Sequence, residues 1–317
     1  MRRQLLKAAI VAAGVLFCAE ASAQALADRA PPKHRLVHRE LVALRGNPTG
    51  LILDSRLSYR LRLYSDEGLA LRDNYIGGGA ALQASPAFLR VGPYVEVAPA
   101  SFVTLWSSLQ YATYFGTFGL LQSFASPRDD FSDEELDRRS ELFDDDPLRN
   151  YSASGLELTV GLDLQAKVRS LAVRSQSRII HANLDLREGD DTFYDQVTDS
   201  LMPDSGVTFI SDLDAAYLAM SDHLVLGLRY TATVPFYSSS SYQPSEPQEH
   251  DNTTHRAGPV VAYTFFNRDG SSFNAPTVLL LVQWWLDHRY RNGAETSQAI
   301  PVAAVGFRVH GDLIPLD

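Results

Sequence analysis

Cysteine, lysine and long apolar runs are scarce in this chain. Its one cysteine, Cys18, lies in the N-terminal apolar stretch, and the only lysines are Lys7, Lys33 and Lys167. Thiolate metal centres and a disulfide framework are thereby excluded from the rest of the chain. Helical membrane spans are excluded too, because each needs about 20 consecutive apolar residues. After residue 23 even the apolar run 278–282 is cut by Gln283. Positive charge is also short: 28 Lys plus Arg stand against 38 Asp plus Glu, a net charge of −10. Such a balance argues against sequence-independent nucleic-acid binding. Nor is there a G-x-S-x-G or Asn-His motif of a hydrolase. Gly77-Gly78-Gly79 lacks the spaced glycines and following helix of a phosphate loop.

What is present begins with an export signal. Arg2, Arg3 and Lys7 precede an apolar core at 8–19, and Ala21-Ser22-Ala23 supplies small residues for cleavage after Ala23. Phe17 before Cys18 argues against a lipoprotein site, which would need a small residue there. Cleavage leaves 25 basic and 37 acidic residues, a net of −12. Residues 24–35 read as a flexible periplasmic tether without periodicity.

The stretch 51–63, L-I-L-D-S-R-L-S-Y-R-L-R-L, sets the pattern for the rest of the chain. Leu51, Leu53, Leu57, Tyr59, Leu61 and Leu63 alternate with Asp54, Arg56, Arg60 and Arg62. Successive strand side chains point to opposite faces, so this is a strand with one apolar and one charged face. The same design recurs at 156–168 and 224–236, and weaker forms of it run through the chain. Counting 36–45, twelve strands are expected. One of them, 171–186, changes its apolar face midway, which predicts a bulge.

A soluble sandwich and a transmembrane barrel both use such strands. Many of these run about 11 to 15 residues, enough to cross a bilayer tilted. Turns near Pro99, Arg169 and Asp222 are short, whereas 116–150 and 238–255 are long and polar. Tyr111, Phe115, Phe236, Tyr263, Trp284 and Trp285 gather at strand ends, as interfacial aromatics do. On these features the chain resembles Gram-negative outer-membrane β-barrel proteins as a class, over about residues 36–313. The resemblance implies an all-β fold, an antiparallel up-and-down transmembrane barrel of about 12 strands, spanning 36–317. It implies an outer-membrane location, with membrane lipid and the barrel-assembly machinery as partners. Two departures stand out. The chain ends Ile314-Pro315-Leu316-Asp317, where such barrels commonly end on an aromatic residue. Pro93, Pro259, Pro276 and Pro301 must also fit among strands paired on both sides.

The inward faces assign a set of lumen candidates: Asp54, Arg56, Arg60, Arg62, Arg90, Glu96, Glu157, Asp163, Lys167, Asp212, Asp214, Arg229 and Arg308. Arg174 and Arg178 belong with them. These charges either line a pore for small polar or charged solutes or fill a narrow lumen with ion pairs. No catalytic, cofactor or metal residues are assigned, and no nucleic-acid partner. The run 128–146 carries ten acids against three arginines but lacks the spacing of a calcium loop, so it reads as a solvated charge run or an outer contact. Two alternatives stand beside the channel. One is an outer-membrane hydrolase acting on lipid or peptide, with Ser175, Ser177 and His181 or Asp287 and His288 as its residues. The other is an adhesion or scaffold barrel working through the long loops.

Overall fold

The computed structural model describes residues 31–66, 68–248, 252–292 and 300–316. The expected signal at 1–23 and most of the tether at 24–35 lie outside the described residues. Among the described residues fifteen strands occur in chain order. They are β1 (His34–Gly46), β2 (Gly50–Leu61), β3 (Tyr75–Ala84), β4 (Phe88–Ala100) and β5 (Val103–Tyr114); then β6 (Ser123–Phe124), β7 (Ala153–Val168), β8 (Leu171–Leu184), β9 (Thr192–Asp195) and β10 (Ser200–Pro203); and finally β11 (Val207–Ala219), β12 (Leu224–Phe236), β13 (Thr254–Thr264), β14 (Asn274–Asp287) and β15 (Val302–Leu316). Among the described residues the one α-helix, α1 (Asp133–Ser140), begins at Ser132, whose side chain accepts from the Glu135 amide.

Twelve of the strands form a closed barrel in which every neighbour is also the next barrel strand in sequence. β1 closes the ring against β15, with Leu41 opposite Arg308 and Leu44 opposite Val305. The expected antiparallel up-and-down barrel of about 12 strands is therefore the observed fold. The period-two alternation is what builds it. Leu51 and Leu57, Leu156 and Val160, and Leu226 and Leu228 all stand exposed on the outer surface. Between them, Ser58, Arg90, Glu96, Gln110, Glu157 and Thr159 are buried inside. Hydrophobic-out and polar-in is the reverse of a water-soluble core, and it is the composition of a lipid-facing surface.

β8 holds one register with both β7 and β11, so the bulge expected in 171–186 is not formed. The apparent switch of face arises because Ser175 and Ser177 sit on the outer side between Val173 and Ile179. Bulges lie elsewhere, one in β15, one in β4 and two in β14, the last between Asn274 and Thr277. Pro276 falls in the last of these, and Pro301 precedes β15. Pro93 and Pro259 sit inside strands, each directly after a glycine. A Cβ on Gly92 would collide with the Leu109 carbonyl, and one on Gly258 with that of Val282. Glycine lets the neighbouring backbone press in where proline has no amide to offer.

The two ends of the barrel differ. One carries the chain ends of the barrel and tight turns at 101–102, 169–170 and 220–223. The other carries the long segments 115–152, 185–206, 237–253 and 288–301. Within these, β6, β9 and β10 form a separate three-stranded sheet. Its Phe124, Phe193, Tyr194, Leu201 and Met202 are buried with Phe88, Tyr114, Leu121 and Phe131. The apolar core of this molecule thus sits across one mouth of the barrel.

Candidate functional site

The site is the barrel interior, and its walls are built from inward strand positions. Glu96 of β4 takes two hydrogen bonds from Arg60 of β2, at 2.7 and 3.1 Å. Ser58 donates to the same carboxylate at 2.7 Å, and Tyr75 and Tyr94 at 3.2 Å each. Arg229 grips Asp214 in the same bidentate way, at 2.6 and 2.7 Å. Asp212 accepts from Thr231 at 2.6 Å and faces Arg178 at 3.6 Å. Several donors converge on Glu96, and Arg229 claims both oxygens of Asp214, so these carboxylates are held in place on the wall.

Arg56 stacks on aromatic faces, 4.6 Å from the Trp106 ring centre and 5.0 Å from that of Tyr94. Gly161 makes this arrangement available, because a Cβ there would overlap the Trp106 indole. Asp54 lies 3.7 Å from Arg56 and accepts from Gln83 at 2.8 Å. Asp163 accepts from Trp106 and Gln176, each at 3.4 Å. Together these side chains surround a cavity of about 330 Å³ inside the barrel.

Six of the candidates do not line this cavity: Arg60, Glu96, Asp212 and Asp214 make their pairs elsewhere on the inner wall, and Lys167 and Arg62 lie toward the turn end. Lys167 pairs with Asp222 at the turn end, where Asp222 is exposed and Lys167 half-buried. Its inward parity on β7 is correct, but the strand has already left the lumen at that height. Arg62 lies one residue past β2 and donates to the Pro31 carbonyl at 2.6 Å. Arg39 was not among the candidates, yet it lines the cavity with Arg174, Arg178 and Arg308.

Asp195, Val197, Thr198 and Met202, all from the β9–β10 hairpin, roof this cavity. Arg90 on β4 ties the roof to the wall, 3.1 Å from Asp195, 3.4 Å from Glu157 and 2.8 Å from the Tyr114 hydroxyl. Arg45 on β1 donates to the Val197 carbonyl at 2.8 Å and also to that of Gln196. On the far side of the hairpin, buried Asp199 accepts from Arg291 Nε at 2.9 Å and from the Tyr194 hydroxyl at 2.7 Å. Arg291 also holds Asp133 of α1, with Nη2 to Oδ1 at 2.7 Å. Burial alone would raise the Asp199 carboxyl, but the Arg291 hydrogen bonds and the charges of His288 and Arg291 outweigh it and hold it below 3.8. Sequence reasoning missed Asp195, Asp199, Arg291 and Arg45. The one local signal was Asp195 followed by Thr198, whose amide and hydroxyl both donate to that carboxylate.

His288 is buried in this network. Its Nδ1 accepts from the Tyr290 and Arg291 amides at 3.0 and 3.1 Å, and Nε2 donates to the Asp199 carbonyl at 2.6 Å. Both ring nitrogens are committed to backbone, so this histidine is a clasp and has no free lone pair for catalysis. Burial lowers its pKa below the ordinary 6.5. Ser175, Ser177 and His181 point outward, and His181 Nδ1 lies 2.7 Å from the Gly206 carbonyl. Neither hydrolase constellation is assembled. In the acidic run, Glu135 is claimed by Arg138 and Arg139, and Asp144 by Arg149. Hydrogen bonds from Arg138 and Arg139 push the Glu135 carboxyl down to about 2.

No family model matches the chain, and no curated protein does. Among solved structures it is similar to the β domain of the Bordetella autotransporter BrkA, at 11% identity and a TM-score of 0.42, over 89% of this chain and 100% of that one. It is similar to the translocator domain of the autotransporter NalP from Neisseria meningitidis, at 11% identity and a TM-score of 0.37, over 98% and 94%. Similarity to the outer membrane protein OprD from Pseudomonas aeruginosa stands at 8% identity and a TM-score of 0.29, over 90% and 94%.

Proposed function

We propose that the chain is an outer-membrane barrel that passes small charged solutes passively and is shut at its outer mouth by the β9–β10 hairpin. The observation that carries this reading is the polar cavity of about 330 Å³ beneath a hairpin that is no part of the barrel sheet. A lumen meant only as a structural fill would pair its charges to completion, and this one leaves arginines over. The hairpin ladders with β6 and is joined to the barrel strands by side chains and, just past β10, by the bridge between Ala182 and Asp204, so its displacement would leave the wall closed. Membrane lipid would cover the outer belt, and the machinery that inserts such barrels would deliver the chain after export. Planar-bilayer recording tests the reading. The intact protein is expected to show brief, rare openings, and a variant lacking residues 192–203 steady conductance. A silent deletion variant that still runs as a folded, heat-modifiable barrel would sink the channel.

A further inference from the structure

Seven arginines and four carboxylates line the lumen cavity. Four of the arginines face carboxylates within 4 Å: Arg229 faces Asp214, Arg178 Asp212, Arg56 Asp54, and Arg90 both Asp195 and Glu157. Three are left over. Arg39 reaches only Asp54, at 3.8 Å, and shares it with Arg56. Arg174 and Arg308 have no carboxylate within 4 Å among the described residues, and the Arg308 Nε is buried without a hydrogen-bond partner. Asp163, whose charge acts on Arg174, is likewise beyond 4 Å of any described arginine and takes its hydrogen bonds from Trp106 and Gln176.

Topology makes this surplus converge. Arg39 and Arg308 stand on the adjacent strands β1 and β15, whereas Arg174 is on β8, half-way round the ring. Side chains from opposite walls therefore enter one cavity, and the charges acting on Arg308 are those of Arg174 and Arg39. Like charges gathered in a narrow lumen repel one another, and the wall offsets this only in part, through Asp54 beside Arg39 and the more distant Asp163 near Arg174. Guanidinium forks are suited to oxyanions, each offering parallel N–H groups to two oxygens.

We infer that Arg39, Arg174 and Arg308 form a binding site for a small multivalent oxyanion, bearing phosphate or paired carboxylate groups. At about 30 Å³ per water the cavity has room for roughly ten waters. That accommodates inorganic phosphate or a short dicarboxylate with part of its hydration, and excludes an oligomer or a folded chain. The inference rests on the solute-channel reading for its biological use, but the site itself requires only the closed barrel.

Calorimetric titration of the detergent-folded full barrel with inorganic phosphate, at constant ionic strength set by sodium chloride, tests it. Saturable binding is expected in the intact protein, weakened at least tenfold in the double variant Arg174→Met/Arg308→Met. Lys167→Met, at the turn end, is expected to bind as the intact protein does. Phosphate should also raise the melting temperature of the intact barrel more than that of the double variant. A short dicarboxylate in a second arm distinguishes the two oxyanion sources by relative affinity. Absence of saturable binding of either anion, or equal affinity in a double variant that remains heat-modifiable, would overturn the site. Silent bilayers with positive titration remove the channel and leave the site. Conductance without anion binding does the reverse.

Discussion

Arg90 and Asp195 lie 105 residues apart, one on the barrel wall and one in the roof hairpin, and they meet at 3.1 Å with both side chains buried. This pair is where the closed mouth is fastened to the barrel. Removing the arginine leaves the buried Asp195 and Glu157 without the cation they share. The expected cost of Arg90→Ala is about 3–5 kcal/mol, the range for breaking one side of a buried ion pair. It should fall on the hairpin more than on the twelve-stranded ladder. Longer open times in bilayers, with near-normal heat modifiability, are the expected outcome. Loss of the folded band at ordinary temperature would instead make Arg90 a part of barrel assembly.

Acidification should loosen the other end of the hairpin. His288 has its pKa lowered by burial, so its neutral form stabilises the latch fully above 6.5 and that contribution is lost as pH falls below 6.5 toward the lowered value. Asp199 is lowered as well, and its contribution is present above 3.8 and lost as pH falls through its folded value. Both signs agree. The facing groups Arg291, Asp133 and Tyr194 do not reverse them, because a protonated His288 would meet the Arg291 cation and lose its two amide donors. Open probability should therefore rise as pH falls below about 6.5. His288→Gln, which has no such titration, should flatten that dependence between 6.5 and 5, and recording at stepped pH reads it directly.

Gly92 and Gly258 carry a prediction about assembly. Each precedes a proline inside a strand, and a side chain at either would strike a backbone carbonyl of the next strand. A displaced carbonyl in a closed barrel breaks a ladder that has no free edge to absorb the shift. Gly92→Val and Gly258→Val are expected to cost more than about 4 kcal/mol, in the class of severe backbone clashes. Gel mobility with and without boiling checks this: the compact band should be lost. Gly46→Ala, where a Cβ meets nothing, is the matched control.

The barrel was legible in the sequence because lipid outside and polar groups inside impose period two on each full-length strand. Leu156 to Val168 on β7 displays it without interruption, and so did the parity that placed both chain ends at one mouth. The hairpin was not legible for the opposite physical reason. Thr192, Phe193, Tyr194 and Asp195 are all buried, as are Ser200, Leu201, Met202 and Pro203, so neither strand alternates. Four residues are also too few to declare a period. Lys167 shows a different limit. Parity reports which face a side chain takes, not the height at which a strand leaves the lumen, and Lys167 had the right face at the wrong height. Arg39 was hidden in the weakest of the expected strands, where Glu40 and His38 blur the outer face.

The outer belt separates a membrane barrel from a barrel in water by a single substitution. Leu228 on β12 is 64% exposed, with Leu226 and Tyr230 on the same face. If that face meets water, Leu228→Arg replaces an exposed apolar side chain by a solvated charge and is near neutral or favourable. If it meets lipid, the guanidinium must enter hydrocarbon or deform the bilayer, at about 2–4 kcal/mol near the midplane. Unfolding of the two proteins in phospholipid vesicles and in detergent should therefore differ in the first and converge in the second, where micelles adapt to the charge. Thr233→Arg, on the buried inner face of the same strand, perturbs packing equally in both media. A Leu228→Arg barrel as stable in vesicles as the parent would place this belt in water, and with it remove the outer membrane from the proposal.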